Sequence, residues 1–288
     1  MFFQYVYSYT KALEMKKNIL SMMAIIVSAS ASTQLNAGPL ELGTSGNFAA
    51  LASTTLTNTG SSVINGGDIG LSPGTSITGF PPGTLTSPYS FHIADTVSLQ
   101  ARNDLITAYN NAAGLIPTQD LSGQDLGGLT LTPGVYSFTS SAQLTGILNL
   151  NALGNPNAQF VFQIGSTLTT ATNSSVFTIN GGAHSGANVY WKVGSSATLG
   201  TGTNFEGHIL AFTSITLNTN ANIFEGSALA INGAVTLDSN QITNYVTVVP
   251  EASSMALSLI VGGCLLGLRS LRKYLAFNPT QSATSSSS

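Results

Sequence analysis

Four hydroxyl-rich strings in the last third of the chain hold the residues best able to make ordered contacts with a partner. They read STLTTATN from Ser166, SATLGTGTN from Ser196, SITLNTNAN from Ser214 and, more faintly, AVTLDSNQI from Ala234. With Leu168, Leu199, Leu217 and Leu237 in one column, Thr170, Thr201, Thr219 and Ser239 stand two positions later, and Asn173, Asn204, Asn222 and Ile242 five positions later. On stacked strands equivalent residues lie about 4.8 Å apart, and alternate residues along one strand about 6.6 Å apart. Such columns make a flat lattice of methyls, hydroxyls and amides. Threonine suits it, because the β-branch restricts the side chain and favours a strand, so the hydroxyl is held at little further entropy cost. The chemistry is non-covalent: a surface that orders water on a repeat. The same residue types also satisfy plain strand and turn preferences.

Covalent chemistry finds no comparable constellation. Polysaccharide-active solenoids need paired carboxylates, or a calcium site beside a basic residue, whereas the acids here are scattered at turns and helix ends. Asp68 follows Gly66 and Gly67, Asp125 lies in QDLGG, and both, with Asp238, read as backbone-capping residues. His92, His184 and His208 lack metal-ligand spacing, and Ser195 and Ser196 lack a nucleophile context. No glycine cluster ends in the Gly-Lys-Ser or Gly-Lys-Thr of a phosphate loop. No catalytic residue, metal ligand or cofactor is assigned, and the chain is not expected to be an enzyme.

The elements that must position the columns follow from the spacing. Intervals of 31, 18 and 20 residues between the aligned leucines suit a β-solenoid whose coils share a cross-section but carry loops of different size. Short apolar and β-branched runs separated by glycine-rich corners recur from Leu42 to Phe80 and again from Leu129 onward. In Phe160, Phe162 and Ile164 a period of two puts three apolar side chains on one face. Leu144, Leu168, Leu199, Leu217 and Leu237 are expected as an internal apolar ladder, and Tyr190, Trp191 and Phe212 as core or seam packing. Between these regions the pattern changes. Ala101, Leu105, Ala108, Tyr109 and Ala112 fall at helical spacing, with Asp95 or Thr96 as N-cap and Gly114 as the stop, which predicts one long helix over about 95–113 laid against the solenoid.

Composition bounds the partners. From about Gly38 to Val248 the only basic side chains are Arg102 and Lys192, against nine acidic ones, a net charge of minus seven. Nucleic acid is excluded as a partner, since phosphate binding needs a basic surface. The single cysteine, Cys264, lies beyond this stretch, so neither disulfides nor a thiolate metal site staple it. About 210 residues suffice for one buried core without such staples.

The ends read as targeting segments. Residues 1–37 form a signal-peptide region, with Lys16 and Lys17 before an apolar stretch from Ile19 to Val27 and Met15 as an alternative start. At the other end, residues 249–288 combine Pro250 and Glu251, an apolar run from Met255 to Leu268 within a transmembrane segment expected at about 252–268, the basic Arg269, Arg272 and Lys273, and a polar tail. This order resembles the Pro-Glu-Pro C-terminal sorting signal of Gram-negative bacteria, with Ala252 in place of the second proline. The resemblance implies an exported, secreted or cell-surface protein with a C-terminal membrane segment before processing, and a sorting transpeptidase acting near Pro250 and Glu251.

Between the ends, LGTSGNFAALASTTLTNTG, INGGDIGLSPGTSITGFPPG, DLITAYNNAAG, DLGGLTLTPGVYSF, NPNAQFVFQIGSTLTT, VYWKVGSSATLGTGTNFEGHILAFTSITL and NGAVTLDSN closely resemble the microbial ice-binding protein family over nearly all of Leu40 to Val246. The resemblance implies a discontinuous right-handed β-solenoid of triangular section at 38–248, a mainly β fold with one long helix packed alongside. It further implies adsorption to ice, inhibition of ice growth or recrystallisation, and a monomeric soluble domain. In some members a flat face binds ice through a T-A/G-X-T/N pattern. Thr170 to Asn173 and Thr201 to Asn204 match it, while Thr219 to Asn222 departs at Asn220. The implied ice-binding residues are Thr170, Thr172, Asn173, Thr201, Thr203, Asn204, Thr219 and Asn222. A large charged residue at Thr201 or Thr203 is then expected to weaken adsorption with little loss of fold. The competing reading is a surface adhesin or structural protein whose threonine-rich face binds glycans or other cells.

Overall fold

The computed structural model describes residues Leu40 to Tyr245. Among these residues, parallel strands form three sheets of nine, seven and eight strands. Each coil lays one strand on each sheet in turn, as in Val189–Val193, Ala197–Leu199 and Asn204–Glu206, followed by His208–Ala211, Ile215–Leu217 and Asn222–Phe224. The outcome is a triangular β-solenoid.

Stacking order departs from chain order. Phe48–Ala52 sits between Asp68–Leu71 and Ala228–Ala230, with Ala50 opposite Ala228, Leu56 opposite Val235 and Val63 opposite Gln241. The first coil of the chain therefore stacks on the last, and the solenoid is discontinuous. To restart at the far end, where Gln119–Asp120 pairs with Gly134–Phe138, the chain must travel along the stack. Helix α1, Thr96–Gly114, covers about 28 Å of that distance.

Helix α1 begins where the sequence places it, shifted by one residue at each end from the expected span. The Asp95 carboxylate accepts the Ser98 N–H at 2.8 Å and Ser98 Oγ accepts the Asp95 N–H at 3.2 Å, a reciprocal capping box. The Ser98 N–H bond, aided by His92, lowers the Asp95 carboxyl to about 2. Ala101, Leu105, Ala108 and Ala112 are buried against Leu51, Val161, Tyr190, Leu210 and Leu229, so α1 covers the outer side of the first sheet. Arg102 Nε donates to the Ile231 carbonyl at 3.0 Å, and Gln163 Nε2 donates to Ala112 O and Leu115 O at 2.7 and 2.8 Å, tying down both halves of the helix.

Inside the triangle, alternate strand residues point inward and stack coil on coil. Phe162 lies between Tyr136 and Trp191, with ring centroids 5.4 and 3.9 Å away. Tyr190 and Trp191 are buried as expected, but Phe212 is 48% exposed at the helix margin, where its ring leans on Tyr109.

His208 is a fully buried polar member of the first sheet, its Nδ1 2.8 Å from Ser227 Oγ. Burial lowers its imidazole from 6.5 to about 4, the Ala187 carbonyl opposing. Between these values the unfolded chain holds the extra proton. His208 therefore contributes fully above about pH 6.5, and roughly 3 kcal/mol is lost as the pH falls toward 4. Melting temperature is expected to drop by about 6–12 °C from this source between pH 7 and pH 4. Glu206, raised by burial, acts with the opposite sign, losing stability as pH rises above its unfolded value. Melting of His208→Gln across the same range isolates the histidine: the variant should lose most of the slope, and an unchanged slope refutes the assignment.

The expectation of a membrane helix and a membrane-tethered location is corrected here. Among the described residues no helix is long and apolar enough to cross a membrane. The signal-peptide region, Pro250, Glu251 and the segment at 252–268 lie outside the described residues.

Candidate functional site

Five of the seven strands of the second sheet share a three-residue pattern in which a threonine stands between two inward positions. It appears in Leu168–Thr170, Ala197–Leu199, Ile215–Leu217 and Val235–Leu237, and in Leu56–Asn58 from the N-terminal coils. With inward neighbours such as Ala197, Leu199, Ile215 and Leu217 fully buried, the period of two turns each central threonine outward. Strand register then aligns them. Thr169 faces Thr198, Thr198 faces Thr216, Thr216 faces Thr236, Thr236 faces Thr57 and Thr57 faces Thr78. Gln143 extends the column beyond Thr169. Six threonines thus form a straight ladder of roughly 24 Å, two of them contributed by the N-terminal coils.

A second outward column runs beside the first. Thr167 Oγ1 donates to Ser141 Oγ at 2.8 Å, and Ser196 and Ser214 hydroxyls each accept a backbone N–H from the next coil. At the corner between the second and third sheets the chain turns through left-handed residues: Asn173, Gly202, Asn220 and Ser239 have φ of 59°, 70°, 59° and 57°. Asparagine and glycine tolerate that conformation best. The corner N–H groups of Asn173, Gly202 and Asn220 donate to the carbonyls of Thr201, Thr219 and Asp238, which places Thr172, Thr201 and Thr219 in equivalent exposed positions.

The eight residues expected from sequence therefore separate into four environments. Thr172, Thr201 and Thr219 stand exposed at the corner edge of the second sheet. Asn204 and Asn222 face each other on the third sheet, with Asn222 Nδ2 3.4 Å from Asn204 Oδ1. Asn173 makes the turn. Thr170 and Thr203 are buried, 2.7 Å apart through their hydroxyl oxygens. A charged residue at Thr203 would consequently strike the interior, and only Thr201 of that pair offers a surface test.

The difference has one source. Leu168 pairs with Ala197, not with Leu199, so the first string is displaced by two residues from the leucine alignment. Leu144 faces Thr170, and Leu199 faces Leu217. The internal ladder therefore exists, but Thr170 takes the inner place that leucines fill in other coils, and Leu168 belongs to the neighbouring inner column. A shift of two keeps every side chain on its face, so apolar alternation does not expose it. Thr57, Thr78, Thr169, Thr198, Thr216 and Thr236 are absent from the sequence-derived set, although the apolar-Thr-apolar triplet marks Thr198, Thr216 and Thr236.

Among the described residues, the three faces differ in what they offer a partner. Helix α1 covers the first, where Lys192 sits half-buried with its Nζ 4.9 Å from the Tyr109 ring and burial lowers its pKa. The third carries Phe177, 41% exposed, beside Glu206, whose carboxyl is raised by burial. The second sheet presents hydroxyls. Its charges stand at its margins: Asp125 bridges Gln143 beyond the end of the ladder, and Asp238 at the corner accepts the Thr219 hydroxyl and the Ser239 hydroxyl instead of capping backbone as expected. Asp68 and Asp125 do cap backbone, accepting N–H groups of Ser90 and of Gly127 and Thr145. Among the described residues no group of three histidine, cysteine or acidic side chains is placed to hold a metal ion.

Comparison with known proteins agrees with this geometry. A family model described as Ice-binding-like matches residues 50–243. The chain is 52% identical over 269 residues to an ice-binding protein of Nostoc sp. (strain HG1), covering 91% of this chain and 97% of that protein. Two crystal structures share the fold. An ice binding protein from an Antarctic biological consortium superposes with a TM-score of 0.67 at 48% identity, over 72% of this chain and 91% of that one. The ice-binding protein of the Antarctic ascomycete Antarctomyces psychrotrophicus gives 0.68 at 44% identity, over 73% and 100%.

Proposed function

The chain belongs to the ice-binding protein family, and from that premise we propose that it adsorbs to ice through the second sheet of the solenoid and opposes ice growth or recrystallisation. The observation that carries this reading is the ladder of Thr57, Thr78, Thr169, Thr198, Thr216 and Thr236, aligned in register on the face that α1 leaves open. Each methyl and hydroxyl makes a weak contact, but the contacts recur at one spacing and are fixed before binding, so little ordering entropy is lost on adsorption. Thr172, Thr201 and Thr219 extend the contact at the corner edge. Protein held at many points pins the ice front, which must curve between the attached molecules to advance.

The experiment is the incorporation of fluorescently labelled full-length protein into a slowly growing ice hemisphere, beside a labelled inert protein of similar size. Incorporation well above the inert protein is the expected result. Exclusion to the level of the inert protein overturns the reading and leaves an adhesive or structural surface protein that keeps the fold without the ligand.

A further inference from the structure

Thr170 and Thr203 belong to the most conspicuous sequence repeat, yet both are buried and neither can touch ice directly. Their position coincides with the shortest third-sheet pairing among the C-terminal coils. The coil containing Leu168 meets the coil containing Ala197 over a full five-residue strand on the first sheet, from Phe160 opposite Val189 to Ile164 opposite Val193. On the second sheet the register covers only Leu168 with Ala197 and Thr169 with Thr198, and on the third only Ser175 with Asn204. The preceding junction pairs Ala142–Leu144 with Leu168–Thr170, and Ile147–Asn151 with Ser175–Ile179. The following one pairs Ala197–Leu199 with Ile215–Leu217.

Side chains supplement the backbone bonds at this junction. The Gly200 N–H donates to Thr170 Oγ1 at 2.8 Å, Thr170 Oγ1 lies 2.7 Å from Thr203 Oγ1, and Thr203 Oγ1 donates to the Ala171 carbonyl at 3.2 Å. Because a hydroxyl has one proton and that of Thr203 goes to Ala171, the proton between the two threonines comes from Thr170. The result is an unbroken relay from one coil to the other and back, with every buried member satisfied. A β-carbon at Gly200 would come within 2.5 Å of the Thr170 carbonyl oxygen, so the coils touch here and only glycine permits the approach.

We propose that Thr170 and Thr203 are positioning residues of the outward ladder: their relay fixes the height of one coil on the next, and thereby the end step from Thr169 to Thr198, which joins Thr169 to the other five threonines. This rests on the reading of the second sheet as the ice-contact face. It gives the repeated threonines a role distinct from contact, because Thr169 is the immediate neighbour of Thr170 and points the opposite way.

The test compares four variants of the full-length labelled protein for melting temperature and for incorporation into ice. Thr170→Val leaves the Gly200 N–H buried without an acceptor, and is expected to melt about 3–8 °C lower and to be incorporated severalfold less. Thr170→Ser keeps the hydroxyl and should restore incorporation. Leu105→Ala, on the inner side of α1 against the first sheet, should melt lower by a similar or greater amount and still be incorporated normally, since it leaves the second sheet untouched. Thr198→Glu tests the face itself. If Thr198→Glu is excluded while Thr170→Val enters ice like the unmodified protein, the face stands and the positioning role is overturned. If Thr198→Glu enters ice normally, the premise about the face fails instead. Should Thr170→Val not fold, Thr203→Ala against Thr203→Ser provides the same comparison, because it cuts the relay while leaving the Gly200 N–H an acceptor.

Discussion

Replacing Thr216 by glutamate is expected to abolish most ice adsorption while leaving the fold intact. Thr216 lies in the interior of the ladder, flanked by Thr198 and Thr236 in the neighbouring coils, and its side chain points away from the core formed by Ile215 and Leu217. A carboxylate there must be stripped of water to reach the ice lattice and finds no cation on the face. That penalty exceeds the roughly 1.4 kcal/mol that a tenfold change represents. Incorporation into ice should therefore fall by about tenfold or more. Melting temperature should move by no more than about 2 °C, as for surface substitutions that touch no buried group. Thr84→Glu is the matched control, because Thr84 is exposed on the third sheet opposite Val63. Loss of incorporation in Thr84→Glu with retention in Thr216→Glu would move the contact surface to the third sheet.

The largest stability effect is expected at Phe162. Its ring is fully buried between Tyr136 and Trp191, and Trp191 in turn leans on Phe205. Phe162→Ala removes the transfer free energy of a ring and leaves a cavity that a coil held by parallel strands on both sides cannot close. The cost is about 3–5 kcal/mol, a fall in melting temperature of roughly 6–20 °C. Trp191 is the single tryptophan of the chain, so its fluorescence reports the transition directly. Ice incorporation of the folded variant should persist, since Phe162 lies on the first sheet and the ladder on the second. A melting temperature within 2 °C of the unmodified protein would show that the stack is not a principal source of stability.

Sequence reading and structure agree on α1 and on which strand residues face inward or outward, where the information is local. The capping residues around Asp95, the apolar spacing from Ala101 to Ala112 and the stop near Gly114 specify α1 through contacts three and four residues apart. Alternation in Phe160, Phe162 and Ile164 likewise assigns an inner face, and the triplet around Thr198 or Thr216 assigns an outer one. Low charge and the scattered acids are also properties of composition, and Asp125 caps the Gly127 N–H only two residues on.

What the tertiary structure alone decides is which coil residue stands over which. Leu168 aligned with Leu199 looks as sound as Leu168 aligned with Ala197, because both preserve the inside-outside alternation. The second continues the register of five paired residues on the first sheet, from Phe160 to Ile164 against Val189 to Val193. That long-range register turns Thr170 and Thr203 inward as a hydrogen-bonded pair, and it brings Thr57 from the first coil of the chain beside Thr236 from the last. The one-dimensional pattern determines that threonines face outward from a solenoid. Their assembly into a single ladder depends on the stacking of chain segments nearly 180 residues apart, a distance over which residue spacing holds no register information.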